Sequence, residues 1–404
     1  MSTDRPASKR ITSLDQFRGY TVAGMFLVNF LGAFAATPLL LKHHNTFCSY
    51  ADTIMPQFFF AVGFAFRLTF GRRAQQQGLG AAYMHVVRRL LGLVLISMVV
   101  YQAPNVTRSW SDFVEHGAWD AFRTALGGSI RTWFQTLMHI AVTSLWILPV
   151  IRASALVRIV FMVASAAAHI ALSHWFYYDW VQTGGIDGGV LGFLTWTIPT
   201  IVGTLACDAV VAPDGRPRIG KIVVWGVLLM AGGWLMSCAT TLYDVDPAAG
   251  AENLAASKSD PDQRWADDPV IPTQTRLETH SISLAEPPFV PPPPPTEREE
   301  NYWMMSQRGG TVSYHTFAAG LSLALYAVFF VACDVWSWQL GLFRTLGTNA
   351  LVAYVLHMLV DGAVSPFIPR DAPGWYVTAG FVVFFGITYL FVRKLEQDGI
   401  YLKL

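Results

Sequence analysis

Charge is what this chain has least of. Only 14% of its 404 residues are Asp, Glu, Lys or Arg, against about 25% in an ordinary soluble domain. Hydrophobic residues make up 53%, a balance that excludes a soluble globular chain and points to one embedded in lipid. The net charge of +1 gives no footprint for a nucleic-acid partner. Cysteine is scarce as well: Cys48, Cys207, Cys238 and Cys333 are scattered, three of them in apolar runs. They imply no disulfide framework and read as packing residues. No close His, Cys and Asp set has the spacing of metal ligands, so no metal is expected. An internal repeat and an inverted pair of broken helices, the marks of many transporters, are also missing.

What is present is a series of apolar runs near residues 20–41, 54–70, 87–101, 134–151, 155–173, 190–211, 221–242, 314–333, 340–362 and 374–392. At roughly 20 residues per crossing they predict an all-α, polytopic membrane bundle of about ten transmembrane helices. It forms a single membrane domain over 1–404. The second and third runs are short, so a tilted, broken or merged span is expected there. Arg5, Lys9 and Arg10 before an apolar run, with Ala35-Ala36 after it, imitate a signal peptide. That run is nevertheless long enough to span, and cleavage would discard Asp15 and Arg18, so an uncleaved first helix is expected.

Basic residues orient the bundle. With the N-terminus inside, the inner segments hold Arg5, Lys9, Arg10, Arg18, Arg67, Arg72, Arg73, Arg88, Arg89, Arg152, Arg158, Arg216, Arg218, Lys221, Arg344, Arg393, Lys394 and Lys403. The short outer loops hold only Lys42 and Arg370. This asymmetry predicts N-in and C-in, and it puts His43, His44 and Asp52 at the outer face. Two outer segments are unusual. Residues 102–133, with Trp110, Asp112, Glu115, His116, Trp119 and Asp120, read as a partly helical cap. Residues 243–312 are polar and proline-rich, with a Pro291–Pro295 run that favours an extended strut. A lid, a spacer and disorder are all open for that segment.

The first seventy residues carry the chemistry. Asp15 and Arg18 precede the first apolar run, Asn29 lies within it, and Lys42, His43, His44 and Asp52 follow. An ionisable group at a helix centre costs about 2.5–3.5 kcal/mol on insertion scales, so such placement has a reason. A histidine close to a carboxylate at a membrane face suits proton transfer. His357 and Asp361, four apart, are a second candidate pair on one helix face. His139 and His169 read as structural, and Trp175, Tyr177, Tyr178 and Trp180 as an interfacial aromatic belt.

Three segments read together. Leu14-Asp15-Gln16-Phe17-Arg18-Gly19 leads to Val28-Asn29-Phe30, then His44-Asn45-Thr46-Phe47 and Ala51-Asp52-Thr53-Ile54-Met55-Pro56. Gly188-Gly189-Val190-Leu191-Gly192 leads to Pro199 and Gly203, and Leu346-Gly347-Thr348-Asn349 to Tyr354 and His357. This resembles the transmembrane acyltransferases typified by heparan-α-glucosaminide N-acetyltransferase and its bacterial relatives. The resemblance implies an inner-membrane enzyme that moves an acetyl or acyl group from cytosolic acyl-CoA to a sugar amine or hydroxyl at the outer face. The implied co-substrate is acyl-CoA, specifically acetyl-CoA, the acceptor a glycan or glycolipid, the surroundings membrane lipid, and a homo-oligomer is compatible. It also implies chemistry by Asn29 and His44, with Asp52 orienting the histidine.

Departures from the family pattern keep other readings open. His44 and Phe47 keep the expected spacing, but the loop to Asp52 is two residues shorter than the pattern, which leaves His43 a rival for the role. Met138-His139 stands where the family favours Gln-Arg. Arg18 is a candidate for the CoA phosphates; a structural ion pair with Asp15 is the alternative. The histidine acts either as general base or as acyl carrier, and Asn29 as donor to the carbonyl oxygen. On this basis His44→Ala abolishes transfer and His43→Ala is mild. The rival class is a proton-coupled transporter or export permease using the same intramembrane His and Asp residues.

Overall fold

A computed structural model describes residues 11–101, 109–212, 214–246, 248, 249, 252 and 265–402. Arg5, Lys9, Arg10 and Lys403, residues 102–108 of the outer cap and most of 247–264 lie outside the described residues. The helices are α1 (Thr12–Leu31), α2 (Tyr50–Gln77), α3 (Leu79–Val100), α4 (Trp110–Trp133), α5 (Thr136–Ile147), α6 (Ala155–Leu172) and α7 (Tyr178–Gln182). They continue with α8 (Phe193–Val210), α9 (Ile219–Ser237), α10 (Gln274–Thr279), α11 (Val312–Phe330), α12 (Gly341–Thr348), α13 (Ala350–Val364) and α14 (Gly374–Gln397). Extended pairing among the described residues is confined to isolated bridges, Asp244 with Arg298 and Trp265 with Glu300.

The chain is an all-α polytopic bundle. Among the described residues eight helices are long and apolar enough to cross a membrane. The number is nine if Gly117–Trp133 and Thr136–Val150, bent by 81°, form one span. The expected count was about ten, and the difference starts at the first run. Its helix begins earlier and ends earlier than 20–41: α1 carries Asp15, Gln16, Arg18 and Asn29, stops at Leu31, and gives way to a loop. Thr37 Oγ1 donates to the Leu31 carbonyl over 2.6 Å and closes that end. The second and third runs, short by hydropathy, belong to helices of 28 and 22 residues, because polar residues such as Arg67, Arg72 and Arg73 extend α2 beyond its apolar core. The ninth run is broken at Asn349, between α12 and α13.

The chain divides into two compact units, and α11 runs from one into the other. One unit holds α1 and the chain from Ala324 onward. Within it α1 and α12 touch backbone to backbone: a Cβ on Gly19 would stand 1.8 Å from the Phe343 carbonyl oxygen, and one on Gly347 2.0 Å from that of Asp15. Gln16 uses its side-chain amide as a second backbone, donating to the Leu340 carbonyl and accepting from its N–H, each over 3.1 Å.

The other unit spans Pro38–Leu323. Its axis is the contact of α2 with α8, where Gly63 faces Thr200 and Gly203 faces Phe60. Small residues let the two helices approach until only backbone separates them. Phe59 stacks on Trp196 with centroids 4.4 Å apart, in a core completed by Cys48, Met55, Met305 and Tyr314. The described part of the proline-rich segment packs onto this unit. Phe289 donates its N–H to the Cys48 carbonyl over 3.0 Å and sets its ring against Phe317. Arg298, only 5% exposed, pairs with Asp244 and Glu286. Arg276 bridges Asp268 and Glu299 and lies over the Tyr243 ring. A free spacer or a disordered strip is not what residues 265–312 form.

Candidate functional site

The N-terminus of α2 organises the site. Ser49 is its N-cap and Asp52 its third residue, and together they form a capping box. Asp52 Oδ2 accepts from the Ser49 N–H over 2.9 Å, and the Asp52 N–H reaches back to Ser49 Oγ at 3.3 Å. This reciprocal arrangement satisfies donors that a helix start leaves open. It also fixes the carboxylate so that Oδ1 faces outward to His43, whose Nδ1 donates to it over 2.8 Å. Asp52 is 1% exposed while the His43 side chain is 50% exposed. Tyr314 donates to the Asp52 carbonyl over 2.6 Å and anchors the same turn from α11.

Asp52 sets the state of that ring. Surrounding protein disfavours the charged imidazolium. The bond to Asp52, the charges of Asp52 and Asp187, and a hydrogen bond with Gln307 favour it and prevail, so the pKa lies above the ordinary histidine value. The ring itself is half-exposed, beside a carboxylate that is buried. With Nδ1–H held by Asp52, Nε2 carries the lone pair of the neutral form.

A second carboxylate joins from the Gly-rich turn before α8. Asp187 adopts φ 54° and is followed by Gly188 at φ 88° and Gly189 at φ 59°. Gly188 meets Gly310 of the proline-rich segment so closely that a Cβ there would stand 3.3 Å from Gly310 Cα. That approach brings Gln307 to Asp187, Nε2 to Oδ1 over 2.7 Å, while Trp196 Nε1 donates to the Asp187 carbonyl over 2.8 Å. Burial raises the Asp187 pKa to about 6, against the lowering effects of Gln307 and His43. Asp187 thus changes charge near pH 6, within electrostatic reach of His43, whose pKa is also raised.

Asp52 is therefore paired with His43 and not with His44. The His44 ring donates from Nε2 to the Leu39 carbonyl over 2.9 Å and stacks on Phe47 with centroids 4.3 Å apart. Which of the two adjacent histidines meets the carboxylate is decided by the path of the loop between Leu41 and Ser49, which turns His43 toward Asp52 and His44 toward Leu39. Asn29 lies in the other unit, where its Nδ2 meets His357 Nε2 at 3.3 Å. His357 Nδ1 donates to the Tyr354 carbonyl, which leaves Nε2 to accept from Asn29. The described hydrogen bonds of His357 go to these two groups and none to Asp361, so the expected His357–Asp361 pair does not form. Asp15 and Arg18 stand three residues apart on α1. His139 is wholly buried between Phe134 and Trp196, and His169 bonds the Tyr302 hydroxyl over 2.8 Å.

Asp187 and Gln307 were not singled out from sequence. The only trace is local: Asp187 sits among Gly184, Gly185, Gly188 and Gly189, and Gln307 shortly before Gly309-Gly310. Two glycine clusters of this kind signal close backbone approach, but not to each other. Among the described residues no group of three His, Cys, Asp or Glu is arranged to hold a metal ion.

Residues 10–196 match the family model described as heparan-alpha-glucosaminide N-acetyltransferase, catalytic. The matched stretch contains His43, Asp52 and Asp187 and ends before the segment that supplies Gln307. No curated protein matches the chain. The chain thus combines a polytopic helical bundle with a region similar to an acyltransferase catalytic domain.

Proposed function

We propose that the protein transfers an acetyl or short acyl group from acyl-CoA to a sugar amine or hydroxyl, with His43 as the base. The observation that carries this reading is the His43–Asp52 pair at 2.8 Å on an accessible ring, inside the stretch similar to the acyltransferase catalytic domain. Neutral His43 takes the proton of the acceptor as its nitrogen or oxygen attacks the thioester carbonyl. The C–S bond then breaks, the product amide or ester forms, and the proton passes from the imidazolium to the departing CoA thiolate. Asp52 holds the tautomer and stabilises the imidazolium. In this scheme CoA arrives from the cytoplasm and the acceptor from the outer side, as the resemblance to the acyltransferases implies; the basic-residue asymmetry bears only on the side of the membrane that His43 occupies.

The test is transfer of labelled acetyl from acetyl-CoA to glucosamine by the purified full-length chain. His43→Ala should reduce turnover by about 10²–10⁴-fold, the usual contribution of a positioned base, while His44→Ala keeps most of it. The same loss in both variants would overturn the assignment to His43, and proton-driven uptake without any acyl transfer would replace the enzyme reading by a transporter.

A further inference from the structure

A cavity lies away from this site, within the Pro38–Leu323 unit. It has a volume of about 380 Å³ and lies between α6, α8 and α9, with Leu323 of α11 also in its wall. Its charged lining residues, Asp208, Arg218 and Lys221, all stand at one end, where α8 finishes and α9 begins. The rest of the wall is apolar, from Ile159 and Met162 on α6 to Val202 on α8 and Leu229 on α9.

Charge at the polar end is not balanced. Asp208 is clamped by two guanidiniums, Arg67 Nε at 2.8 Å and the fully buried Arg158. Arg218 has only a loose contact of 3.6 Å with Asp214, both side chains more than half exposed. Lys221 makes no ion pair among the described residues. Four bases thus face two acids, and the two bases without a tight partner, Arg218 and Lys221, line the mouth.

Depth points to lipid. From Lys221 to Leu229 the helix rises about 12 Å at roughly 1.5 Å per residue, comparable to one leaflet of a hydrocarbon core about 30 Å thick. The walls belong to helices apolar enough to span a membrane. Basic pockets between spanning helices attract anionic headgroups, while an apolar groove of leaflet depth suits an acyl chain.

We propose that this groove is a binding site for an anionic phospholipid, its phosphate on Arg218 and Lys221 and one acyl chain between α6, α8 and α9. The site is independent of the acyl-transfer reading and uses none of its residues. Phosphate chemistry alone also describes CoA, but a groove charged only at its mouth fits a chain-bearing lipid better than a nucleotide.

The test is lipid retention by the purified full-length chain, read by native mass spectrometry with phosphatidylglycerol and phosphatidylcholine titrated separately. Wild type should hold phosphatidylglycerol at least about tenfold more tightly, since each basic residue near a headgroup adds roughly a fivefold preference. Arg218→Gln with Lys221→Gln should erase that preference. Ile159→Trp, which fills the groove on a lipid-facing helix, should lower retention of both lipids. Melting temperature in lipid-free detergent checks that each variant is folded; if the double variant is not, Ile159→Trp decides the question. Equal retention of the two lipids by wild type would overturn the proposal. So would displacement of phosphatidylglycerol by acetyl-CoA, which would make the groove a nucleotide site.

Discussion

Asp52 divides its two carboxylate oxygens between a structural and a chemical partner: Oδ2 completes the α2 capping box and Oδ1 holds His43. Asp52→Asn separates the two roles, because an amide oxygen still accepts from the Ser49 N–H but no longer balances an imidazolium. Since Asp52 raises the His43 pKa, wild-type His43 becomes neutral, and able to accept a proton, only above the ordinary histidine range. Removing the charge lowers that pKa, so the acid limb of the kcat/KM profile should move to lower pH. The plateau should fall as well, on the order of 10²–10⁴-fold, from loss of the correct tautomer and of charge stabilisation. A pH–rate profile checks both, and an unmoved acid limb would remove Asp52 from the control of His43. The pairing of this carboxylate was half legible in the sequence. A histidine near Asp52 was readable from the loop, but which of two adjacent histidines reaches it depends on loop path, and adjacent residues differ in direction by far more than sequence spacing can show.

At the scale of the helix pair, α2 and α8 depend on two glycines. A Cβ at Gly63 would stand 1.9 Å from the Thr200 carbonyl oxygen, and one at Gly203 2.1 Å from that of Phe60. Helix backbones cannot yield there without separating, so Gly63→Ala should destabilise by about 1–3 kcal/mol or more, as overpacking does. Gly71, further along α2, has open space around it, and Gly71→Ala should be neutral or stabilising by about 0.5–1 kcal/mol. Thermal unfolding in detergent checks the contrast. Arg298 offers a parallel test for the proline-rich segment. Its guanidinium is 5% exposed and pairs with Asp244 and Glu286. Arg298→Met leaves two carboxylates without their cation and should cost about 1–3 kcal/mol, less than for a fully buried pair because water reaches Asp244 and Glu286. If the segment were a loosely attached spacer, the melting temperature would hardly change. The order in this segment was not readable from its composition, because proline content reports backbone stiffness and says nothing of what Phe289 or Arg298 touches.

For the whole molecule, the distribution of basic residues predicts which side of the membrane each loop occupies. Lys42→Cys and Arg370→Cys should react with a membrane-impermeant maleimide from outside intact cells, whereas Arg152→Cys and Arg344→Cys should react only after permeabilisation. Native Cys48, Cys207, Cys238 and Cys333 are buried, which keeps the background low. Labelling of all four positions from one side would overturn the N-in, C-in arrangement.

Hydropathy and charge, read along the chain alone, determined that this is an all-α membrane protein. They also determined where most of its helices lie and singled out the loop from Lys42 to Asp52 as the place to look for a site. Those properties are carried by one-dimensional patterns: run length against bilayer thickness, and basic residues against apolar runs. Three features were decided only in three dimensions: the choice of His43 over His44, the arrival of Gln307 beside Asp187 from 120 residues away, and the exchange of the expected His357–Asp361 pair for His357 with Asn29. Each depends on where a loop crosses or which way a ring turns, and no periodicity along the chain records either.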